Sequence, residues 1–355
     1  MPFTATPLIA GDMYDMASRI ARDADAALAL NPDAAAQAAC IGQLWAQVAE
    51  LGWMATMVAE AQGGAGGTLG DVAALAGGAG CAALPLPIAA ACAVVPHLLA
   101  LVPGAPLLAE VAAGSARIAV ILPGAAQDPG AAPLALADGV LRGGVVGVAM
   151  PPAPTHLLAV VGDALLLMPV DAPGLSLATS QRIDRCLTGD FTFAGVAATL
   201  LAEGPAVARQ AEEARDLGAL VTCVEATEAA GALIEQTIAY LSTRVQFGAP
   251  LGTNQALRHR VAEMYVEYET LRGLVGTALR HAEEDGRPRW RDVAFAKLRL
   301  GHAGRSIAEA SIQCHGGMGM TDGLPATRLA RRIMMAEHEY GDRFFQARRL
   351  LATEG

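Results

Sequence analysis

Apolar positions recur at two different periods along this chain, and the change of period divides it into three stretches. In ACIGQLWAQVAELGWMA (39–55), Ile41, Leu44, Trp45, Val48 and Leu51 lie three or four apart, as on one face of a helix, and Gly52 offers a stop. GGAGG at 63–67 reads as a loop, and Asp71 as the cap of the helix that follows. From about 114 to 205 short apolar runs take over: RIAVIL (117–122), HLLAVV (156–161), ALLLMPV (164–170) and DFTFAGVA (190–197), bounded by Gly, Pro and Asp as strands are. Gly162 and Asp163, between two of them, suit a two-residue hairpin. The helical period returns after 206, with helices expected over 206–243, 255–281 and 290–314. In the second of these, Leu257, Val261, Met264, Tyr268, Leu271, Val275 and Ala278 form a stripe that needs a neighbour along its whole length. The expected fold is therefore mainly α with a central β domain. It comprises an N-terminal helical domain (1–113), a small β-barrel or sandwich domain (114–205) and a C-terminal helical bundle (206–355).

A length of 355 residues suits two or three packed units. The chain is 53% hydrophobic but only 4% aromatic, so its apolar content is mostly Ala, Leu and Val, which favours close helix packing. No Asp, Glu, Lys or Arg occurs from 72 to 109, long enough for a membrane span to be considered. Pro85, Pro87, Pro96, Pro103 and Pro106 cut that stretch into short pieces and His97 interrupts it, so buried helices explain it better.

The net charge of -10 argues against nucleic acid as a partner, although 19 of the 25 basic residues follow residue 205. Lys297 is the single lysine, so the positive charge sits on Arg, whose planar fork suits phosphate; codon usage explains the same bias. Six scattered cysteines form no CxxC pair and no zinc spacing, and read as reduced, small apolar residues. The segment MPFTATPLIAGDMYD shows no basic region followed by an apolar run, so the expectation is a cytoplasmic protein. The glycine runs do not open a helix after a strand, which argues against a dinucleotide fold of the GxGxxG type.

Two segments carry more specific chemistry: RVQFGAPLGTNQALRHRVAEM (244–264) and SIQCHGGMGMTDGLPATRLARRI (311–333). A diphosphate needs donors of fixed charge, and Arg244 at a helix end with Gln246 two residues on can provide them. Phe247 can lie against a flat ring, while Gly248 and Pro250 make a turn. Glycines such as Gly316 and Gly317 let backbone amides come close to phosphate. Taken singly, Arg244 also reads as a helix C-terminal cation, Phe247 as a staple residue and His315 as a packing or capping residue with no chemistry.

Together with the αβα layout, these segments resemble the acyl-CoA dehydrogenase family, with its R-x-x-F-G-x-x-L/I-x-x-x-Q motif and later H-G-G-x-G loop. LWAQVAELGW and VAEAQGGAGGT match the family's N-terminal helix and glycine loop more weakly. The tail EYGDRFFQARRL is most similar to shorter subunits acting on dicarboxylic or steroid side-chain thioesters, some built from two different polypeptides. The resemblance implies FAD as cofactor and an acyl-CoA thioester as substrate. By it, Arg244, Gln246, Phe247, Leu251, Asn254 and Gln255 meet the FAD of a neighbouring subunit, and Gln313, Gly316 and Gly317 meet its adenosine and diphosphate side. By the same analogy, electrons pass on to an electron-transfer flavoprotein.

Removal of a thioester's α-proton requires a base, and a carboxylate in a dry pocket suits the task. The family supplies a glutamate from one of two places. Counting 24 residues from Gly316 arrives at Tyr340, and counting 26 back from Arg244 arrives at Gly218. Neither is a carboxylate. Glu339 is one residue off, which turns a helical side chain by about 100°, and Asp216 is similarly displaced, reading as a solvated charge near a helix start. The family's T-E-P-x-A-G-S-D segment has no counterpart; ILPGAAQDPGAA (121–132) stands in about that region. Three readings follow: a non-catalytic, FAD-clasping subunit of a heteromer; a self-sufficient homo-oligomer with Glu339 as base; or a non-enzymatic scaffold.

Overall fold

The computed structural model describes residues 3–30, 33–102, 104, 106–124 and 132–352. In chain order the helices are α1 (Asp12–Leu30), α2 (Ala34–Glu50), α3 (Leu69–Gly80), α4 (Val95–Leu99, entered through a π-turn at Ala90–Val94) and α5 (Pro106–Ala112). Strands β1 (Ile118–Ile121), β2 (Ala135–Ala137), β3 (Val140–Ala149), β4 (His156–Val161), β5 (Ala164–Pro169), β6 (Leu175–Gln181), β7 (Leu187–Ala197) and β8 (Thr199–Glu203) follow. Then come α6 (Pro205–Thr243), a short hairpin of β9 (Val245–Gln246) and β10 (Ala249–Pro250), α7 (Gln255–Asp285), α8 (Trp290–His315), α9 (Pro325–Ala336) and α10 (Arg343–Leu351). The architecture is mainly α with a central β region. The chain divides into two compact units, one of Met1–Asp33, Ala73–Leu84 and Ala219–Gly355, the other of Ala34–Val72 and Pro85–Gly218.

The second unit holds the strands, in two four-stranded sheets ordered β1-β4-β5-β8 and β2-β3-β7-β6. Their inner faces share one core, in which Leu141, Val145, Phe191 and Phe193 meet Ala119, Leu157, Leu166 and Met168. The β4–β5 hairpin turns at Gly162–Asp163, with Val161 paired to Ala164, as the spacing predicts. β3 carries no clean alternation because Gly143, Gly144 and Gly147 interrupt it, and its pairing with β7 shifts register between Val145 and Val148. In the helical part of this unit, Ile41, Leu44, Trp45 and Val48 are buried as expected, whereas Leu51 is half-exposed beyond the end of α2. At α3 the cap is Thr68 rather than Asp71. Asp71 lies in the first turn and accepts from the Thr68 N–H at 2.7 Å while its own N–H reaches Thr68 Oγ1 at 3.3 Å, a reciprocal capping box.

The first unit is a helical bundle around α6. The α7 stripe from Met264 to Ala278 is buried, while Leu257 and Val261 at its start are half-buried. Among the described residues α6 is the one helix long and apolar enough to cross a membrane; 94% of its most apolar window is buried within the protein. The uncharged stretch after Val72 forms short buried helices. Its glycines permit backbone contact: a Cβ on Gly80 would stand 2.2 Å from the Glu225 carbonyl oxygen on α6, and one on Gly78 would stand 2.4 Å from the Tyr14 carbonyl oxygen on α1.

Residues 3–8 run along α6 and α7 as a strap. The Ala5 N–H donates to Glu235 Oε1 at 2.5 Å, the Leu8 N–H donates to Glu228 Oε1 at 2.6 Å, and Phe3 meets the Tyr265 and Tyr268 rings edge-on. Burial pushes the Glu228 carboxyl up to about 7 from 4.5, against the opposing pull of the Leu8 N–H, the Tyr14 hydroxyl and Arg272.

Gly80→Ala should destabilise the protein by about 1–3 kcal/mol, read as a lower urea midpoint at unchanged slope. Glu228 yields a pH dependence of defined sign. A carboxyl raised on folding holds a proton that the unfolded chain releases, so its stabilising contribution is present below pH 4.5 and declines as pH rises towards 7. Glu228→Gln keeps an acceptor for the Leu8 N–H and should flatten that part of the stability–pH curve, gaining on the parent by up to ~3 kcal/mol across the window.

Candidate functional site

The two sequence segments meet at one end of the bundle. The first begins where α6 stops: the Arg244 N–H donates to the Tyr240 carbonyl at 2.8 Å, and the Leu251 N–H returns to the Arg244 carbonyl at 2.8 Å, closing the β9–β10 hairpin at its base. At its tip Phe247 and Gly248 both take positive φ, 54° and 82°, which makes a two-residue turn and puts a left-handed conformation on a bulky residue. The Phe247 ring is fully exposed and Val245 beside it is more than half-exposed. Arg244, Gln246, Asn254 and Gln255 are exposed and Leu251 half-buried. Asn254 caps α7 by accepting from the Ala256 N–H at 2.9 Å, and the Gln246 side-chain amide donates to the Val245 carbonyl at 2.9 Å.

The second turn begins where α8 stops. Gly316 takes φ +61° and ψ −141°, conditions that favour glycine, and a Cβ added to Gly316 or Gly317 would meet nothing within 4 Å. Gln313, Gly316 and Gly317 are exposed, whereas Gly319 is wedged against the Ile312 carbonyl. His315, just before the turn, is buried, with its ring 4.5 Å from that of Tyr240 on α6. Thr237 and Ser311, one turn earlier on each helix, are joined at 2.8 Å. The arrangement therefore brings an open cationic hairpin and an open glycine turn together, a surface able to take a flat ring and an anionic group.

The base positions are different. Gly218 is buried within α6. Tyr340 has φ +56°, and its phenol is pushed well above its usual value by burial, with Glu339 adding to the effect. Glu339 turns its carboxylate to Arg332, with contacts of 2.8 and 3.2 Å, and the same guanidinium grips the buried Glu225 at 2.7 and 2.9 Å. Both oxygens of Glu339 are thus engaged by a fixed cation. Asp216, expected as a solvated charge near a helix start, is instead 4% exposed and lies well inside α6, in a stretch where Ala214, Arg215, Leu217 and Ala219 are buried as well.

Lys297 is fully buried and donates to the carbonyls of Ala336 at 2.7 Å, Glu337 at 3.0 Å and Glu339 at 2.7 Å, using all three of its donors from the last residue of α9 into the turn that follows. Burial pulls this ammonium below its ordinary value, with Cys223, Glu339 and Glu337 acting against that. Arg332, Glu225 and Lys297 were not singled out as a network by sequence reasoning. The one available signal was a solitary lysine in an apolar helical run. Of ILPGAAQDPGAA, Ile121 closes β1, and 125–131 lie outside the described residues. No His, Cys, Asp or Glu cluster among the described residues has metal-holding geometry.

A helical bundle with paired open turns, joined to a two-sheet β region, defines a class of protein that comparison makes specific. Residues 208–351 match the family profile described as acyl-CoA dehydrogenase, C-terminal domain. The chain is 31% identical over 281 residues to acyl-CoA dehydrogenase IpdE2 of Mycobacterium tuberculosis, covering 78% of this chain and 76% of that protein. A variant of the Tcur3481–Tcur3483 steroid ACAD superposes with a TM-score of 0.80 at 27% identity, covering 97% of each chain. The ChsE4–ChsE5 complex from Mycobacterium tuberculosis shares the fold, with a TM-score of 0.82 at 22% identity over 100% of this chain and 99% of that one. The chain belongs to the acyl-CoA dehydrogenase family.

Replacing Arg332 with Met leaves Glu225 and Glu339 facing each other without their cation, and should cost about 3–5 kcal/mol in chemical denaturation. Adding Glu225→Gln to that variant should recover part of the loss, since the uncompensated charge and not the missing contact dominates it.

Proposed function

We propose that this chain is the non-catalytic, FAD-clasping subunit of a heteromeric acyl-CoA dehydrogenase. The observation that carries the reading is a contrast within the chain: the Arg244–Phe247 hairpin and the Gly316–Gly317 turn are open, while the base positions are buried. The open turns suit an adenosine diphosphate moiety. Their glycines leave space where a side chain would stand, Arg244 forms no ion pair among the described residues, and Phe247 is bare. Arg244, Gln246, Gln313, Gly316 and Gly317 would hold the diphosphate side, with Phe247, Leu251, Asn254 and Gln255 alongside.

In this family the cofactor's contribution is to take up the hydride that leaves the thioester's β-carbon. This chain's own part is to bind and orient. Proton removal falls to the partner, because Tyr340 is a buried phenol and Glu339 is committed to Arg332. The likeness to a steroid ACAD supports a bulky thioester such as a steroid side chain, and the two-component ChsE4–ChsE5 complex supports a second subunit. An electron-transfer flavoprotein as acceptor rests on family analogy. The Glu339-base reading is disfavoured by that residue's two contacts with Arg332.

The test is to purify the chain alone and co-expressed with an acyl-CoA dehydrogenase homologue that carries the catalytic glutamate, then measure flavin content and acyl-CoA-dependent dye reduction. Flavin and turnover should appear in the two-chain assembly. There Arg244→Ala should lower flavin retention tenfold or more, and Glu339→Gln should change turnover less than twofold once folding is controlled. Robust turnover by this chain alone, abolished by Glu339→Gln, would overturn the proposal.

A further inference from the structure

The two open turns lie on different helices, 72 residues apart from Arg244 to Gly316, yet one ligand can use both only if their spacing is fixed. A buried polar column spans α6 and α8 immediately behind them. Thr237 Oγ1 donates to the Leu233 carbonyl at 2.7 Å, which can only accept. The Thr237 hydroxyl proton is thereby spent, so at the 2.8 Å contact Ser311 Oγ is the donor and Thr237 the acceptor. Four residues beyond Ser311, His315 Nδ1 lies 2.9 Å from the Ser311 carbonyl, which places the imidazole proton on Nδ1. The imidazole ring then meets Tyr240, three residues beyond Thr237, at 4.5 Å and a tilt of 34°. Thr237 and Ser311 are 0% and 1% exposed and His315 is 5% exposed.

Successive rungs of this column fall on consecutive turns of each helix, and the last rung sits where both helices end. Tyr240 accepts the Arg244 N–H at 2.8 Å, and His315 directly precedes Gly316. A shift of either helix end would therefore have to break the ring contact and reset both turns. The Ser311–Thr237 hydroxyl pair, with donor and acceptor assigned, fixes the register of the two helices, and the ring contact seated on it holds their ends at a set distance.

We infer that the His315–Tyr240 contact, seated on the Ser311–Thr237 hydrogen bond, is a strut that sets the distance between the Arg244–Phe247 hairpin and the Gly316–Gly317 turn. His315 and Tyr240 are thus positioning residues for a nucleotide diphosphate bound across the two. The ligand half of this inference rests on the FAD-clasp reading above; the strut half does not.

Two measurements separate the halves. The first is hydrogen–deuterium exchange of the purified protein, comparing amides of 245–250, 316–320 and the distant α10. His315→Ala should speed exchange tenfold or more in both turns, including the hairpin that His315 does not belong to, with α10 unchanged. Tyr240→Ala should do the same in reverse. His315→Phe, which keeps a ring against Tyr240, and Tyr240→Phe should restore most of the protection. Acceleration confined to 316–320 in His315→Ala overturns the strut.

The second is titration of the two-chain assembly with FAD, ADP and FMN. His315→Ala and Tyr240→Ala should weaken FAD and ADP by about tenfold to a hundredfold, while the Phe variants stay near the parent. FMN, which lacks the adenosine diphosphate, should change little. Equal weakening of all three ligands, or loss that His315→Phe does not rescue, overturns the positioning role. An assembly that binds no flavin while exchange in the two turns remains coupled overturns the clasp reading and leaves the strut standing.

Discussion

A guanidinium buried among apolar helices is tolerable only when its charge is matched on the spot. Arg332 meets that demand with Glu225 from α6 and Glu339 from the turn after α9, and the rest of the bundle's closing half follows from it. Arg328 joins Asp25 on α1 one turn earlier, and Thr327 Oγ1 beside it donates to the Gly319 carbonyl at 3.0 Å, so two turns of α9 are tied to α6, α1 and the glycine turn. Lys297 then gathers the carbonyls of Ala336, Glu337 and Glu339, from the last residue of α9 into the turn that follows. Such a network adds little net stability over a well-packed apolar core, but it leaves the segment from Ala336 to Gly341 a single conformation.

That single conformation determines what the segment can do. A carboxylate poised to take a proton must be dry, unpaired and aimed at substrate. Here the nearest carboxylate is paired, and the residue beside it is a phenol whose burial disfavours ionisation. The two open turns have the opposite character: exposed, positive in φ at their tips and supported from behind. Charge and openness are thus partitioned within one unit, with ion pairs fixed in the interior and two exposed turns at the rim.

Much of this was legible in the sequence, for reasons that can be named. Long helices with sustained periodicity declared themselves: α7 and α8 begin where the pattern placed them, at Gln255 and Trp290. β4 and β5 were equally clear because two apolar runs flank a Gly-Asp turn. β3 was not read, since glycines erase its alternation, nor β6, which is largely exposed and lacks an apolar face. At α3 the pattern located the helix start but chose the wrong partner of a reciprocal cap. Motif residues such as Arg244 and Gly316 were picked out by the resemblance of their combined motifs to the family, since Arg244 taken singly reads equally well as a helix C-terminal cation. The Arg332 network could not, because Glu225 and Arg332 are 107 residues apart and only the fold brings them together.

The solitary lysine has a further consequence. A thioester is an acyl donor, and an exposed lysine amine is the side chain that such acylation reaches. This chain's one side-chain amine is fully buried, with each of its protons held by a carbonyl. Its surface cations are guanidinium groups, far poorer nucleophiles than a free amine. The molecule therefore presents no lysine nucleophile to the reactive esters of its family, and amine-directed cross-linkers would likewise find no side chain to couple to in the folded state.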